Sequence, residues 1–168
     1  MDERPAAPGS LELVQSLVNT LDIGSGADSL DTAEGRARFG LAQDDLPGAR
    51  ELRESLRAAL LAHAGHPPHR AVTALDGLLA RAPLYVTVDA RDGSAALAPA
   101  DVRPLPARVA AAVAESLVTG TWTRLKACEA QDCHWAYYDR SPAGRGRWCS
   151  MRACGARAKM RRYRAKEP

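Results

Sequence analysis

The sequence predicts an α+β fold in two parts: a mainly helical N-terminal domain with a small β-hairpin, followed by a small cysteine-rich domain with a C-terminal basic helix. Two kinds of segment support the first part. Apolar residues recur at helical spacing in several stretches before Gly120, and the β-rich segment Leu84–Val88 lies among them. For the second part, all four cysteines of the 168 residues lie within 27 positions, from Cys128 to Cys154.

The N-terminal domain is predicted to contain five helices, from apolar residues at helical spacing and from capping patterns. Ser10 can cap the first helix, and Asp31 with Glu34 forms a capping-box pattern for the second. Pro104 stands at the start of the fifth helix, and Gly120 marks its end. The predicted helices span residues 10–21, 31–42, 49–63, 71–81 and 104–120.

The third helix has the pattern of an ordinary amphipathic core helix, with an apolar stripe opposite a polar face. The stripe contains Leu52, Leu56, Ala59 and Leu60, and the polar face contains Arg50, Arg53, Glu54 and Arg57. From the last residue of this helix onward, His63, His66 and His69 occur at intervals of three. Because Pro67 and Pro68 break any helix that would align them as metal ligands, we predict solvated loop histidines.

A β-hairpin is predicted between the fourth and fifth helices. Leu84–Val88 has the β-branched and aromatic composition of a strand, and Gly93 stands in a turn-forming segment after it. Residues 95–98 can return as the second strand. We expect this hairpin to pack on the helices.

Charge divides the chain near Gly120. Residues 1–121 hold 11 Lys and Arg against 16 Asp and Glu, a net of −5, whereas residues 122–168 hold 12 against 4, a net of +8. Six of the eight aromatic residues also lie in the second part. We therefore place the N-terminal domain at 1–120 and the cysteine-rich domain at 121–168, and we expect residues 1–120 to fold independently.

The spacing of the cysteines predicts a metal site. Cys128 and Cys133 enclose four residues, fifteen residues follow, and Cys149 and Cys154 again enclose four. Two close pairs joined by a loop can supply four thiolates to one tetrahedral ion, so we predict one structural zinc in a Zn(Cys)4 finger. Residues five apart on one helix point about 140° apart, so Cys149 is expected in a turn and Cys154 at the start of the next helix. Two disulfides are the alternative, and they would need an oxidising compartment.

From the second half of the cysteine loop onward, the sequence is uniformly basic. From Arg140 to Lys166 it holds ten Lys and Arg residues and neither Asp nor Glu. A charge run is usually a solvated helix face, but uncompensated charge at this density favours a polyanionic partner. The predicted nucleic-acid contacts are Arg145, Arg147, Arg152, Arg157, Lys159, Arg161, Arg162 and Arg164.

Helical spacing separates two faces of the terminal segment. Arg157, Arg161 and Arg164 recur on one side, where we expect phosphate contacts, and Met160 and Tyr163 recur on another. We expect the side with Met160 and Tyr163 to pack on the zinc core.

Aromatic residues of the finger have two possible uses. They could stack on unpaired bases, but a domain of under 50 residues needs such side chains as its core, which is the interpretation that we favour. These residues are Trp135, Tyr137, Tyr138 and Trp148. The neighbouring acid, Asp139, is expected to hold Arg140 or Arg147 in place.

The sequence lacks the motifs of several functional classes. The N-terminal domain has no Gly-rich phosphate loop, no nucleophile elbow and no HExxH motif, so we do not expect an enzyme. The charged start, Met1–Pro5, lacks a signal peptide's apolar stretch, and no apolar run approaches the roughly 20 residues that a membrane span needs. We expect a cytoplasmic protein with no membrane association.

Four short sequence segments of the finger together resemble a known family. Leu125–Cys128, Trp135–Ser141, Arg147–Met151 and Cys154–Lys159 are similar to the CGNR zinc finger of bacterial regulators, over roughly residues 121–164. The resemblance implies that the four cysteines bind zinc and that the finger binds DNA. The signature Cys-Gly-Asn-Arg is here Cys-Gly-Ala-Arg, and Ala156 can supply neither the helix cap nor the base contact of an asparagine.

A second resemblance lies upstream. Leu13–Leu21, with Val18-Asn19-Thr20, is similar to the opening of the ABATE domain that usually precedes this finger. The resemblance implies a stress-linked transcription regulator. We therefore expect a zinc-containing transcription regulator that binds nucleic acid, most simply double-stranded DNA, while the N-terminal domain meets a small-molecule effector or a homodimer partner. A module that docks on an acidic protein, or an RNA-binding protein, is the alternative.

Overall fold

The structure, a computed structural model, describes residues 5–165, and within them it is an α+β protein, as predicted. The helices are α1 (Leu11–Val18), α2 (Ala33–Ala37), α3 (Leu46–His63), α4 (Leu75–Leu79), α5 (Leu105–Val118) and α6 (Ala156–Arg164). The strands are β1 (Leu84–Val88), β2 (Ala95–Pro99), β3 (Leu125–Ala127) and β4 (Ala136–Tyr138). They form two antiparallel hairpins, β1–β2 and β3–β4.

Lys166 and residues 1–4, which entered the sequence predictions, lie outside the described residues. No helix in the described part of the chain is both long and apolar enough to cross a membrane.

The second helix is shorter than the sequence predicts, and its cap differs. Thr32 caps α2, because its Oγ1 accepts a hydrogen bond from the Gly35 backbone N–H at 3.0 Å. Asp31 lies at the end of a short helical turn that precedes α2. Asp28 caps that turn, because its side chain accepts a hydrogen bond from the Leu30 backbone N–H. At the other end, Gly40 adopts a φ of 63°, a left-handed conformation that closes a helix. The predicted capping pair of Asp31 and Glu34 is therefore wrong.

The first hairpin follows the prediction closely. Leu84 pairs with Pro99 and Val88 with Ala95. Gly93, at a φ of 73°, supplies the left-handed residue of the connection. The hairpin packs on α5, while Tyr85, Val86 and Val88 remain largely exposed.

The polar face of α3 is buried, which contradicts the ordinary amphipathic interpretation. Arg53, Glu54 and Arg57 have exposed fractions of 4%, 2% and 0%. The reason is that β3 packs along α3, and the turn after it brings His134 onto this face. Helical periodicity does not reveal that a later segment covers the polar side.

These buried charged side chains form ion pairs and hydrogen bonds with one another. The Glu54 carboxylate accepts hydrogen bonds from Arg53 Nε at 2.7 Å and Arg57 Nε at 3.2 Å, and His69 Nε2 lies 3.0 Å from it. Burial raises the pKa of Glu54, but the charges of Arg57 and Arg53 bring it below its ordinary value. Glu54 therefore stays ionised in the interior.

One continuous apolar core joins the two predicted domains. Leu125, Ala127 and Ala136 belong to the same buried cluster as Leu17 and Leu56 of the N-terminal helices. Hydrogen bonds reinforce the junction. The Asn19 side chain donates to the Ala136 carbonyl at 2.9 Å and accepts from the Ala136 N–H at 2.7 Å. The boundary near Gly120 stays a prediction, but independent folding of residues 1–120 would leave this core uncovered.

Two of the three histidines at and after the end of α3 are held in the structure, so the description of His63 and His69 as solvated loop residues is wrong. His63 Nδ1 lies 2.8 Å from the Leu125 carbonyl, and its ring meets Trp122 edge to face at 4.9 Å. Burial lowers the pKa of His63 and of His69. Both residues connect the N-terminal helices to the segment that follows Gly120.

Candidate metal centre

The four cysteines meet at one point, although the first and the last are 26 positions apart in the chain. All four Sγ atoms lie within 4.8 Å of one another. Cys149 Sγ is 3.7 Å from Cys133 Sγ and 3.7 Å from Cys154 Sγ. All four side chains are free thiols, so the alternative of two disulfides is not what the structure contains.

These distances fit a tetrahedral thiolate site. A Zn–S bond of about 2.3 Å in a regular tetrahedron places neighbouring sulfurs about 3.8 Å apart. Soft thiolate donors in a tetrahedral arrangement suit zinc or an iron–sulfur centre better than hard cations such as magnesium or calcium. The four cysteines are therefore a possible metal site whose donors are already arranged around one centre.

The first cysteine pair is held by the end of the β3–β4 hairpin. The Cys128 N–H donates to the Trp135 carbonyl at 3.0 Å, and the Cys133 N–H donates to the Ala130 carbonyl at 2.9 Å. His134 adopts a φ of 45°, and its ring Nδ1 lies 2.9 Å from the Cys128 carbonyl. These bonds form a tight turn that points both thiols inward.

The second cysteine pair flanks a helix start, as predicted. Cys149 precedes Ser150, whose Oγ accepts from the Ala153 N–H at 3.3 Å and caps the turn. Cys154 lies in a π-helical turn, Met151–Gly155, that continues directly into α6. Such turns are rare and often mark functional sites.

Close packing around Gly155 explains why the signature has a glycine at this position. A Cβ at this position would lie 3.1 Å from Met151 Sδ and 3.3 Å from Trp148 Cδ1. Trp148 in turn packs against the cysteine cluster. Ala156, at the signature's Asn position, is the exposed first residue of α6, and no side-chain hydrogen bond caps that helix.

The close approach of the sulfurs shifts the pKa values of two of the thiols in opposite directions. Hydrogen bonds from the Cys133 and Cys149 thiols lower the pKa of Cys128 to about 4. Hydrogen bonding with Cys128 and Cys133 raises the pKa of Cys149, because a thiolate there would lie beside electron-rich sulfurs. A divalent cation at the centre would remove this conflict.

Arg157, predicted as a phosphate contact, faces the cysteines. Its Nη2 donates to Cys154 Sγ at 3.1 Å, and its Nη1 lies 3.2 Å from Asp132 Oδ2. The hydrogen bond to Cys154 raises the pKa of the Arg157 guanidinium. Spacing places Arg157 on the face of Arg161 and Arg164, but its long side chain bends back to the nearest anions.

Arg147 is also occupied by an internal partner. Its guanidinium forms a bidentate ion pair with Glu129 and lies 5.5 Å from the ring centroid of Trp148. The hydrogen bond from Arg147 lowers the pKa of Glu129. This contact ties the loop before Cys149 to the turn after Cys128.

Asp139 holds different partners from those predicted. Its carboxylate accepts from Lys126 Nζ at 2.9 Å, from the Ser141 hydroxyl at 2.6 Å and from the Gly146 N–H at 2.7 Å. Burial raises its pKa, but the hydrogen bonds from Ser141 and Lys126 bring it well below the ordinary value. A serine two residues after an aspartate is a turn signal that could have indicated this role. Arg140 instead lies 5.3 Å from the ring centroid of Tyr138.

The remaining predicted contacts are exposed. These residues are Arg145, Arg152, Lys159, Arg161, Arg162 and Arg164, and none of them forms an ion pair within residues 5–165.

The expectation that Met160 and Tyr163 pack on the zinc core is wrong, because 51% of Met160 and 61% of Tyr163 is exposed. The described part of α6 contains no buried residue and packs mainly on the turn that precedes it, so most of its surface is accessible. The other finger aromatics are buried or half-buried, as predicted.

Comparison with known families agrees with this geometry. A family model described as "CGNR zinc finger" matches residues 124–167. The ABATE model, described as "Putative stress-induced transcription regulator", matches residues 11–120. Both resemblances are thus confirmed, in the expected order, while a search of curated proteins found no match. The ABATE model matches more than half of the chain. The chain therefore belongs to the ABATE family, and it carries a CGNR zinc finger after that domain.

Proposed function

We propose that this protein is a transcription regulator in which a Zn(Cys)4 centre holds α6 for binding to double-stranded DNA. The observation that carries the proposal is the exposed cationic helix beside the cysteine cluster. Its four free cations, Lys159, Arg161, Arg162 and Arg164, form no ion pair in the described part of the chain. Such a surface favours a polyanion.

The shape of α6 favours a duplex. Its nine residues make a rod about 14 Å long that no other described element covers lengthwise. A B-DNA major groove is about 12 Å wide and admits a single helix. Free arginines on several sides of such a helix can reach the phosphates that border the groove.

RNA and acidic proteins are the competing partners. Recognition of unpaired bases uses exposed aromatic platforms. Among the aromatic residues of the finger that the structure describes, Tyr137 is buried, Trp135, Tyr138 and Trp148 are half-buried, and Tyr163 is exposed. The accessible surface is therefore mainly cationic, which supports a duplex over a single strand.

A binding comparison tests the proposal. The zinc-loaded chain would be titrated against duplex DNA, the same sequence as a single strand, a structured RNA and an acidic protein, each over a salt series. We expect the tightest binding to the duplex and a linear fall of log affinity with log salt. Equal or tighter binding to RNA, or to the acidic protein, would replace the DNA proposal with the corresponding alternative.

The N-terminal domain offers surfaces for the proposed effector and for a homodimer. A cleft of about 610 Å³ between α3, α4 and α5 has apolar walls that include Leu52, Leu78 and Leu105, a volume suited to a small molecule. A separate groove, also about 610 Å³, contains the exposed Val86 and Val118 and could meet a second copy. Sedimentation of the wild type and of Val86→Glu over a concentration range would test the dimer. A monomeric wild type would exclude it.

A further inference from the structure

We infer that Arg157 is a positioning residue of the metal centre, which stabilises the Cys154 thiolate and ties it to the turn of the opposite cysteine pair, and that it does not contact nucleic acid. The inference rests on the zinc site proposed above. It assigns a separate task to one of the arginines that share a face of α6.

The contacts of Arg157 divide between two parts of the site. Nη2 lies 3.1 Å from Cys154 Sγ, in the second cysteine pair. Nη1 lies 3.2 Å from Asp132 Oδ2, in the turn between Cys128 and Cys133. One planar guanidinium therefore bridges the two halves that a metal ion would join.

Charge explains why a cation belongs there. Four thiolates around one divalent ion leave a net charge of about −2. An N–H donated to a coordinating sulfur spreads part of that charge and makes the sulfur less open to protonation. Residues that hydrogen-bond to metal ligands typically change metal affinity by about 10- to 100-fold when they are removed.

Geometry distinguishes Arg157 from its neighbours. Arg161 follows one helical turn later on the same face and has no ion pair within residues 5–165. A guanidinium bound to both a sulfur and a carboxylate has fewer N–H groups left for a phosphate. The face thus contains a residue directed to the metal centre, followed by residues directed outward.

The test compares Arg157→Gln with the matched control Arg161→Gln in the full chain. Zinc affinity would be measured by competition with a chromophoric chelator, together with the rate of zinc loss. We expect Arg157→Gln to bind zinc about 10- to 100-fold more weakly and Arg161→Gln to match the wild type within about twofold. In the same samples, Arg161→Gln should lower the slope of log DNA affinity against log salt by about 0.9, and Arg157→Gln should leave it unchanged.

Two further measurements exclude a general folding defect. In the cobalt-loaded chain, loss of the N–H to sulfur should shift the thiolate-to-metal charge-transfer band to lower energy in Arg157→Gln only. Arg157→Lys, which keeps a cation beside the sulfur, should recover part of the zinc affinity, and Asp132→Asn should show a smaller loss than Arg157→Gln. If Arg157→Gln does not retain metal during purification, the lysine and asparagine variants decide the question.

The two possible failures are distinguishable. A wild-type chain that binds no zinc would remove the metal proposal itself. Wild-type zinc affinity in Arg157→Gln, with a reduced salt slope, would overturn this inference alone and return Arg157 to the phosphate contacts.

Discussion

Arg57 provides a direct test of the buried junction between the N-terminal helices and the finger. Its side chain is fully buried, pairs with Glu54 at 3.2 Å, and donates to the carbonyls of His134 at 2.9 Å and Val18 at 2.8 Å. Arg57→Met keeps much of the volume but leaves Glu54 with fewer partners and both carbonyls without this donor. Removing one member of a buried pair typically costs about 3 to 5 kcal/mol. For a chain of this size, that is a fall of about 6 to 20 °C in the melting temperature.

The matched control lies on the same helix. Arg50 also forms ion pairs, with Asp28 and Asp31, but 41% of its side chain is exposed, so Arg50→Met should cost about 1 kcal/mol or less. Denaturant titrations of the zinc-loaded proteins would be followed by far-UV circular dichroism and by tryptophan fluorescence, since Trp122 packs on the shared core. Equal destabilisation by the two variants would refute the argument that Arg57 supports the junction.

Three further predictions follow from the same contacts. Asp139→Asn should destabilise the chain by about 3 to 5 kcal/mol above pH 4, because it breaks the buried pair with Lys126. Since its folded pKa lies below the ordinary value, the wild type should lose this advantage as pH falls below about 4 in denaturant titrations, and a pH-independent difference would contradict this. Elemental analysis should find one zinc per wild-type chain and little in Cys154→Ser, and a metal-free wild type prepared under reducing conditions would exclude the zinc site. A fragment of residues 1–120 should melt below the full chain, because it lacks Leu125 of the core, and an equal melting temperature would show that the domain is independent.

The elements that the sequence predicts well are those whose signals are local. The first hairpin follows from strand composition and turn chemistry, and α5 follows from Pro104 at its start and Gly120 after its end. The cysteine spacing likewise predicts the cluster, since two close pairs and a loop have few ways to surround one ion. In these cases the residues that decide the structure lie within a few positions of one another.

Contacts between distant segments account for what the sequence does not predict. Arg53, Glu54 and Arg57 look like a solvated face until His134, 77 residues after Arg57, covers them. Met160 and Tyr163 have the spacing of a packed face, but both remain largely exposed. Periodicity indicates which residues share a side of a helix, and only the fold decides whether that side is covered.

The bent side chain of Arg157 shows the same limit at the level of one residue. Helical spacing places it with Arg161 and Arg164, on a common face. The flexible side chain nevertheless reaches Cys154 Sγ, three residues back along the chain. Assigning a role to each cation therefore requires the position of the nearest anion as well as the face of the helix.

The salt dependence of DNA binding by an α6 variant tests the central claim most directly. The triple variant Arg161→Gln, Arg162→Gln and Arg164→Gln would be compared with the wild type and with a control triple of equal charge change on the N-terminal domain, Arg38→Gln, Arg91→Gln and Arg103→Gln. The zinc content of all three proteins would be matched. The account predicts that the slope of log affinity against log salt falls by about 2 to 3 in the α6 triple and stays within about 0.5 of wild type in the control. An unchanged affinity and slope in the α6 triple would contradict it.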